Sequence, residues 1–277
     1  MNQDQLGRYE VLPYPLERTA GLDMFRMAKA RHYVPVLLEA DVSAARAAIA
    51  RHKRDGDDLS FTAWVVGCVA QAAAEHPRVH AVRKGHRRLV VFEDVDTALA
   101  VYRRLADDEG DERLPMPFVL RRANEKDVAA ISAEVRRAQR LPLEPRQQWL
   151  DASGFAPPSW LLPLAFRTPA VLRRWLYWDR LLRSPERIKR TMGTVMITSV
   201  PLTSRSGGGG WGIPIAVHPL VVAIGAVGRR PGLVDDHVEP REFVSLTILF
   251  DHEVVDGVPV ALFIRRLMQL MEGAFGL

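Results

Sequence analysis

The tightest constraint on this chain lies in its last third, where three strand-like apolar runs, 193–200, 220–227 and 243–250, lead into one amphipathic helix at about 260–271. Upstream the two kinds of pattern alternate. Residues 34–42 read as a strand ending in polar Asp41, and Ser43 is placed to cap a helix over 44–53. Ser60 is placed to cap a second helix through Trp64, Val65, Val66 and Val69 to about Glu75, apolar on most faces and so expected to be buried, with His76-Pro77 as its stop. Residues 89–92 and 97–102 read as two strands around a short turn, 107–112 as an acidic loop, and 118–120 as a further strand. A helix follows over 125–140, with Val128, Ile131 and Val135 at helical spacing. With no repeat and no linker, the pattern predicts one α/β domain over 1–277.

Composition narrows the class. At 48% hydrophobic and 26% charged residues the chain reads as globular, which excludes disordered, collagenous and coiled-coil readings. The single Cys68 sits in an apolar run, excludes a disulfide framework, and is expected to be a buried, inert thiol. The first ten residues hold no apolar core and no run reaches about 18 apolar residues, so neither a secretory signal nor a membrane span is expected, and the cytoplasm is the expected location.

The net charge of +5 is local. Between residues 165 and 190 there are eight basic residues against Asp179 and Glu186, which leaves the rest of the chain near neutral and argues against nucleic acid as a partner. This stretch belongs to a segment at about 141–189, rich in Trp, Arg and Pro, that reads as a helical insertion. It admits three readings: a packed insertion whose Arg stems cover apolar surface, a lid or lining for an acyl or CoA channel, or a basic aromatic helix on a membrane surface.

Among eight His residues, His252 has distinctive company in Phe250-Asp-His-Glu-Val-Val-Asp-Gly257. It follows directly on a strand, which holds it rigidly, and Asp256-Gly257 makes a turn before the last helix, with Gly257 expected to take positive φ. A positioned imidazole, with a carboxylate four residues on to brace its turn, has the makings of a general base. The same string also fits a His and an Asp that only shape a turn. The other His residues, 32, 52, 76, 80, 86, 218 and 237, show no metal-ligand spacing and are assigned to loops or the surface, so no metal is expected. Ser206-Gly-Gly-Gly-Gly-Trp211 lacks the residues of a phosphate cradle and reads as a flexible loop.

Taken with Ile197-Thr198-Ser199-Val200-Pro201, found 54 residues before His252, the H-x-x-x-D-G string resembles the chloramphenicol acetyltransferase and dihydrolipoamide acyltransferase superfamily. The stretches 32–42, 76–80, 91–101 and 217–225 follow in the family's order, so the resemblance covers most of 15–140 and 190–277. It implies a two-layer sandwich of mixed β-sheet flanked by helices. It implies acyl transfer from coenzyme A or acyl-CoA as substrate, with His252 as base and Thr198 as oxyanion donor beside Ser199. Asp256 would orient the loop through an ion pair with an N-terminal arginine, for which Arg18 is the candidate, next to Gly257. It also implies a homotrimer with sites between subunits, serving a small-molecule or carrier-protein acyl substrate.

The departures are specific. Thr198 stands where Ser is usual, Glu253 stands where the dihydrolipoamide enzymes usually have Arg, and no lipoyl domain or covalent lipoyl group is expected on this chain. Two other readings stay open: a non-catalytic relative serving as an oligomeric scaffold, and a transacylase that takes its acyl group from a carrier protein.

Overall fold

The computed structural model describes residues 9–11, 18–104, 113–140, 168–199 and 209–277. Its elements in chain order are α1 (Arg18–Ala28), β1 (Tyr33–Asp41), α2 (Ser43–Arg54), α3 (Phe61–Glu75), β2 (Val82–Lys84), β3 (Arg88–Val90), β4 (Thr97–Arg104), β5 (Arg113–Leu120) and α4 (Val128–Arg140). After 168 come α5 (Ala170–Arg173), a π-helical turn (Arg174–Trp178), α6 (Asp179–Leu182), α7 (Pro185–Met192), β6 (Val195–Ser199), β7 (Leu220–Val234), β8 (His237–Asp251) and α8 (Gly257–Glu272). Six strands form one sheet in the order β1-β8-β7-β6-β4-β5, while β2 and β3 make a separate ribbon. β6 runs parallel to both its neighbours, and the other pairs are antiparallel, so the sheet is mixed.

One face of the sheet is helix-covered. Val195 and Ile197 of β6, Leu220, Val222 and Ile224 of β7, and Leu246, Ile248 and Phe250 of β8 pack with Trp64 of α3, Ile131 of α4, and Phe263 and Leu267 of α8. The strand alternation sends Met196, Val221 and Leu249 to the other face, where they pack with Ala216 and Tyr33. β7 is buried on both sides over its first residues, which is why 220–227 is almost continuously apolar. Beyond it, β7 and β8 project as a hairpin turned by Asp235 and Asp236, both with positive φ.

The expected α/β fold class and its mixed sheet are present. Four local expectations change. Residues 88–90 pair with 82–84 instead of turning back on β4, whose antiparallel partner is β5. Ser43 does not cap α2: its Oγ accepts from the Glu242 N–H at 2.8 Å, and its own N–H donates to Asp41 at 2.9 Å. Ser60 does cap α3, accepting from the Ala63 N–H at 3.4 Å. The helix read over 170–183 is broken by the π-helical turn. Finally, His80 and His218 are buried, not peripheral. The acidic loop 107–112, residues 141–167 and most of the glycine run lie outside the described residues.

Candidate active site

His252 follows directly on the end of β8, the strand that lies between β1 and β7 in the sheet. Its backbone is tied on both sides. The His252 N–H donates to the His32 carbonyl at 2.9 Å, and the Val254 and Val255 N–H groups both donate to the Asp251 carbonyl, closing the turn. The imidazole is half exposed, its ring tilted 6.0 Å from that of Phe250. Nδ1 lies 4.0 Å from the Asp256 carboxylate, which is 88% exposed.

Asp256 is the residue before α8 and caps no N–H with its side chain. The turn falls at 252–254, ahead of it, and Gly257 is not among the positive-φ glycines, contrary to expectation. A Cβ added at Gly257 would meet no atom of the described residues within 4 Å. Arg18 opens α1, and its side chain lies outside the described ones.

Of the loop carboxylates that do meet an arginine, the buried one is Asp251. It is fully buried, accepts from Arg31 Nη1 at 2.9 Å and accepts from the Glu253 N–H at 3.1 Å. Glu253 in turn meets His32 Nδ1 at 2.7 Å and pairs with Arg83, and these partners hold its carboxyl below the usual range. Beneath the loop, Tyr33 donates to the Ala216 and His218 carbonyls, and its burial pushes the phenol up. Sequence reasoning missed Arg31, Arg83, Asp251 and Glu253 as supports, since only tertiary structure joins them: the β1–β8 pairing brings Arg31 to Asp251, 220 residues on, and β2 brings Arg83 to Glu253.

Thr198 is half-buried and Ser199 exposed at the end of β6. The register places Thr198 opposite Ala223, and Ala223 opposite Thr247. His252 is five residues past Thr247, about 17 Å along β8, with about 10 Å more across two strand spacings. Within one copy the two groups therefore stand roughly 20 Å apart. An open cleft of about 760 Å³ lies elsewhere, between α2 and α4, lined by Leu59, Val128, Arg136, Arg137 and Leu277 among others, and includes neither residue.

Other expectations can be placed. Burial pushes the Cys68 thiol up to about 12, so it stays protonated and inert. Of the insertion, the described part packs against the body: Arg173 grips Asp23 of α1 at 2.7 and 3.1 Å, Leu181 and Ile188 are buried, and Arg180 stacks over Trp175. No group of three or more metal-ligating side chains occurs among the described residues, and no described helix is long and apolar enough to cross a membrane.

The mixed six-strand sheet with helices on one face is an architecture that this chain shares with acyltransferase catalytic cores. A family model for the catalytic domain of 2-oxoacid dehydrogenase acyltransferases matches residues 16–154 and 193–276, and the chain belongs to that family. The lipoamide acyltransferase component of the branched-chain alpha-keto acid dehydrogenase complex of Pseudomonas putida is 33% identical over 97 residues, 34% of this chain and 23% of that protein. The matched stretch thus spans under a quarter of the curated relative's length. Among solved structures, a probable dihydrolipoamide acetyltransferase from Listeria monocytogenes superimposes with a TM-score of 0.63 at 18% identity, covering 98% of this chain and 97% of that one. The cubic core of a pyruvate dehydrogenase multienzyme complex gives 0.63 at 17%, covering 98% and 95%. At these identities the structures establish the fold.

Proposed function

We propose that the chain transfers an acyl group between a CoA-type thioester and a thiol, hydroxyl or amine acceptor, with His252 as general base and Thr198 as oxyanion donor. One observation carries the reading: a half-exposed imidazole stands on a tightly bonded turn at the end of a central strand, in a chain of an acyltransferase family. A ring nitrogen of His252 takes the proton from the acceptor, which attacks the thioester carbonyl. The oxyanion so formed accepts a hydrogen bond from Thr198 Oγ. Collapse breaks the carbon–sulfur bond, and the imidazolium returns its proton to the departing CoA thiolate.

The separation of roughly 20 Å within one copy means that both groups serve one reaction only when His252 of one copy faces Thr198 of another. The assembly we propose is a homotrimer, in which each site takes one group from each of two neighbours. Two observations support contact between copies: β1 is an edge strand, and Leu37, Ile213 and Ile215 are exposed along it and along the segment leading to β7.

The test is complementation. His252→Ala and Thr198→Val are expected to be inactive or nearly so when pure, with acyl-CoA turnover recovered when the two are co-assembled, because some sites then hold both native groups. Wild-type turnover by pure His252→Ala ends the catalytic assignment. Absence of CoA binding by calorimetry would favour a scaffold.

A further inference from the structure

The loop that presents His252 is anchored at its first residue by a charge that the fold has buried. Asp251 is 0% exposed; one carboxylate oxygen takes the Arg31 guanidinium at 2.9 Å, and the other takes the Glu253 N–H at 3.1 Å. Its carbonyl closes the turn through Val254 at 2.9 Å and Val255 at 3.2 Å, and its N–H donates to the Pro219 carbonyl at 2.9 Å. Arg31 sits just before β1, and the next residue, His32, accepts the His252 N–H through its carbonyl. The chain around 31–32 therefore holds both the carboxylate before the imidazole and the backbone of the imidazole's own residue.

A buried carboxylate is costly unless it is paired and hydrogen-bonded, and here each of its oxygens has a partner. Asp256, by contrast, is 88% exposed and 4.0 Å from the ring, where solvent screens the attraction. Outside the buried pair, Glu253 clasps His32 and Arg83 and ties the same turn to β1 and β2.

Resting on His252 as the base, we propose that the Asp251–Arg31 pair is the positioning device for the His252 imidazole, with Glu253–His32–Arg83 as an outer clasp. Neither residue of the pair is a catalytic residue. Each acts through the turn.

The experiment combines Asp251→Asn, Arg31→Met and Arg31→Lys in the full chain, read by steady-state acyl transfer and by hydrogen exchange at the Val254 and Val255 amides. Asp251→Asn and Arg31→Met are expected to lower kcat on the order of 10²-fold, the cost of a misplaced reacting group, with KM little changed. Exchange at the two amides should speed up in both, while Arg31→Lys recovers part of each effect. Should Asp251→Asn fail to fold, Arg31→Lys alone must still show intermediate kcat and exchange. Wild-type kcat with native exchange in a folded Asp251→Asn variant overturns the proposal, and so does a fall in kcat without faster exchange. If His252→Ala proves fully active while the exchange result holds, the anchoring stands and the role of His252 falls.

Discussion

A hydroxyl on a stiff β-branched side chain is a good fixed donor, because its rotamer is held by the strand that carries it. Thr198 occupies such a position at the end of β6, half-buried beside the core residue Ile197. Thr198→Val keeps the shape and the strand preference and removes the donor. Turnover should drop on the order of 10²–10³-fold with the thermal midpoint nearly unchanged, whereas Thr198→Ser should keep most activity. Parallel kinetics and melting curves check this. Two glycines separate cleanly at the same scale. Gly193 has φ of 71° and an added Cβ would lie 2.5 Å from the Asp96 carbonyl oxygen, so Gly193→Ala should cost more than about 1 kcal/mol in urea unfolding. Gly257 has free space around its Cβ position, so Gly257→Ala should leave folding intact. The strands that carry Thr198 and precede His252 were legible in the sequence. Sequence reasoning misassigned the reason for Gly257, because local spacing does not report φ. It gave no sign of the Asp251–Arg31 pair, because tertiary contacts between distant residues leave no periodicity.

Elements follow the same division. Long segments such as α3, β7 and α8 were legible, since an element buried on most sides is apolar throughout and one buried on a single face repeats at the period of its backbone. The pairing of β3 was not: a three-residue strand carries too little pattern to say which neighbour it joins. The break in the helix after 170 was also hidden, for nothing in the residues at 174–178, neither Pro nor Gly, marks a π-helical turn. There Arg173 reaches Asp23, a carboxylate only 5% exposed, and so ties α5 to α1. Arg173→Met would leave that carboxylate, among the described residues, only the exposed Arg26 at 3.4 Å and should lower stability by about 2 kcal/mol. Arg183, 79% exposed and 3.6 Å from Asp179, should cost no more than about 0.5 kcal/mol when changed to Ala. Urea unfolding of the two variants side by side would show whether this segment is part of the cooperative body.

For the molecule as a whole, two buried imidazoles set how the fold responds to acid. His80 is fully buried with Nδ1 2.9 Å from Thr194 Oγ, and His218 is buried with Nε2 2.9 Å from the Met192 carbonyl. Because a carbonyl only accepts, Nε2 of His218 carries the hydrogen. Burial pushes both down to about 4, below the ordinary histidine value near 6.5. The unfolded chain therefore binds more protons than the folded one between these limits. The stabilisation from keeping both rings neutral is complete above about pH 6.5 and is lost as pH falls toward 4. With two groups the slope should reach about 2.7 kcal/mol per pH unit at its steepest. Carboxylates held low by partners, such as Asp41 and Glu75, extend the loss further into acid but add little in the upper part of this window. The urea midpoint should thus be level from pH 8 to 7 and then decline well before ordinary carboxylates protonate. His218→Gln, whose amide can still donate to the Met192 carbonyl, should roughly halve that decline. An unchanged slope in this variant would place the acid sensitivity elsewhere.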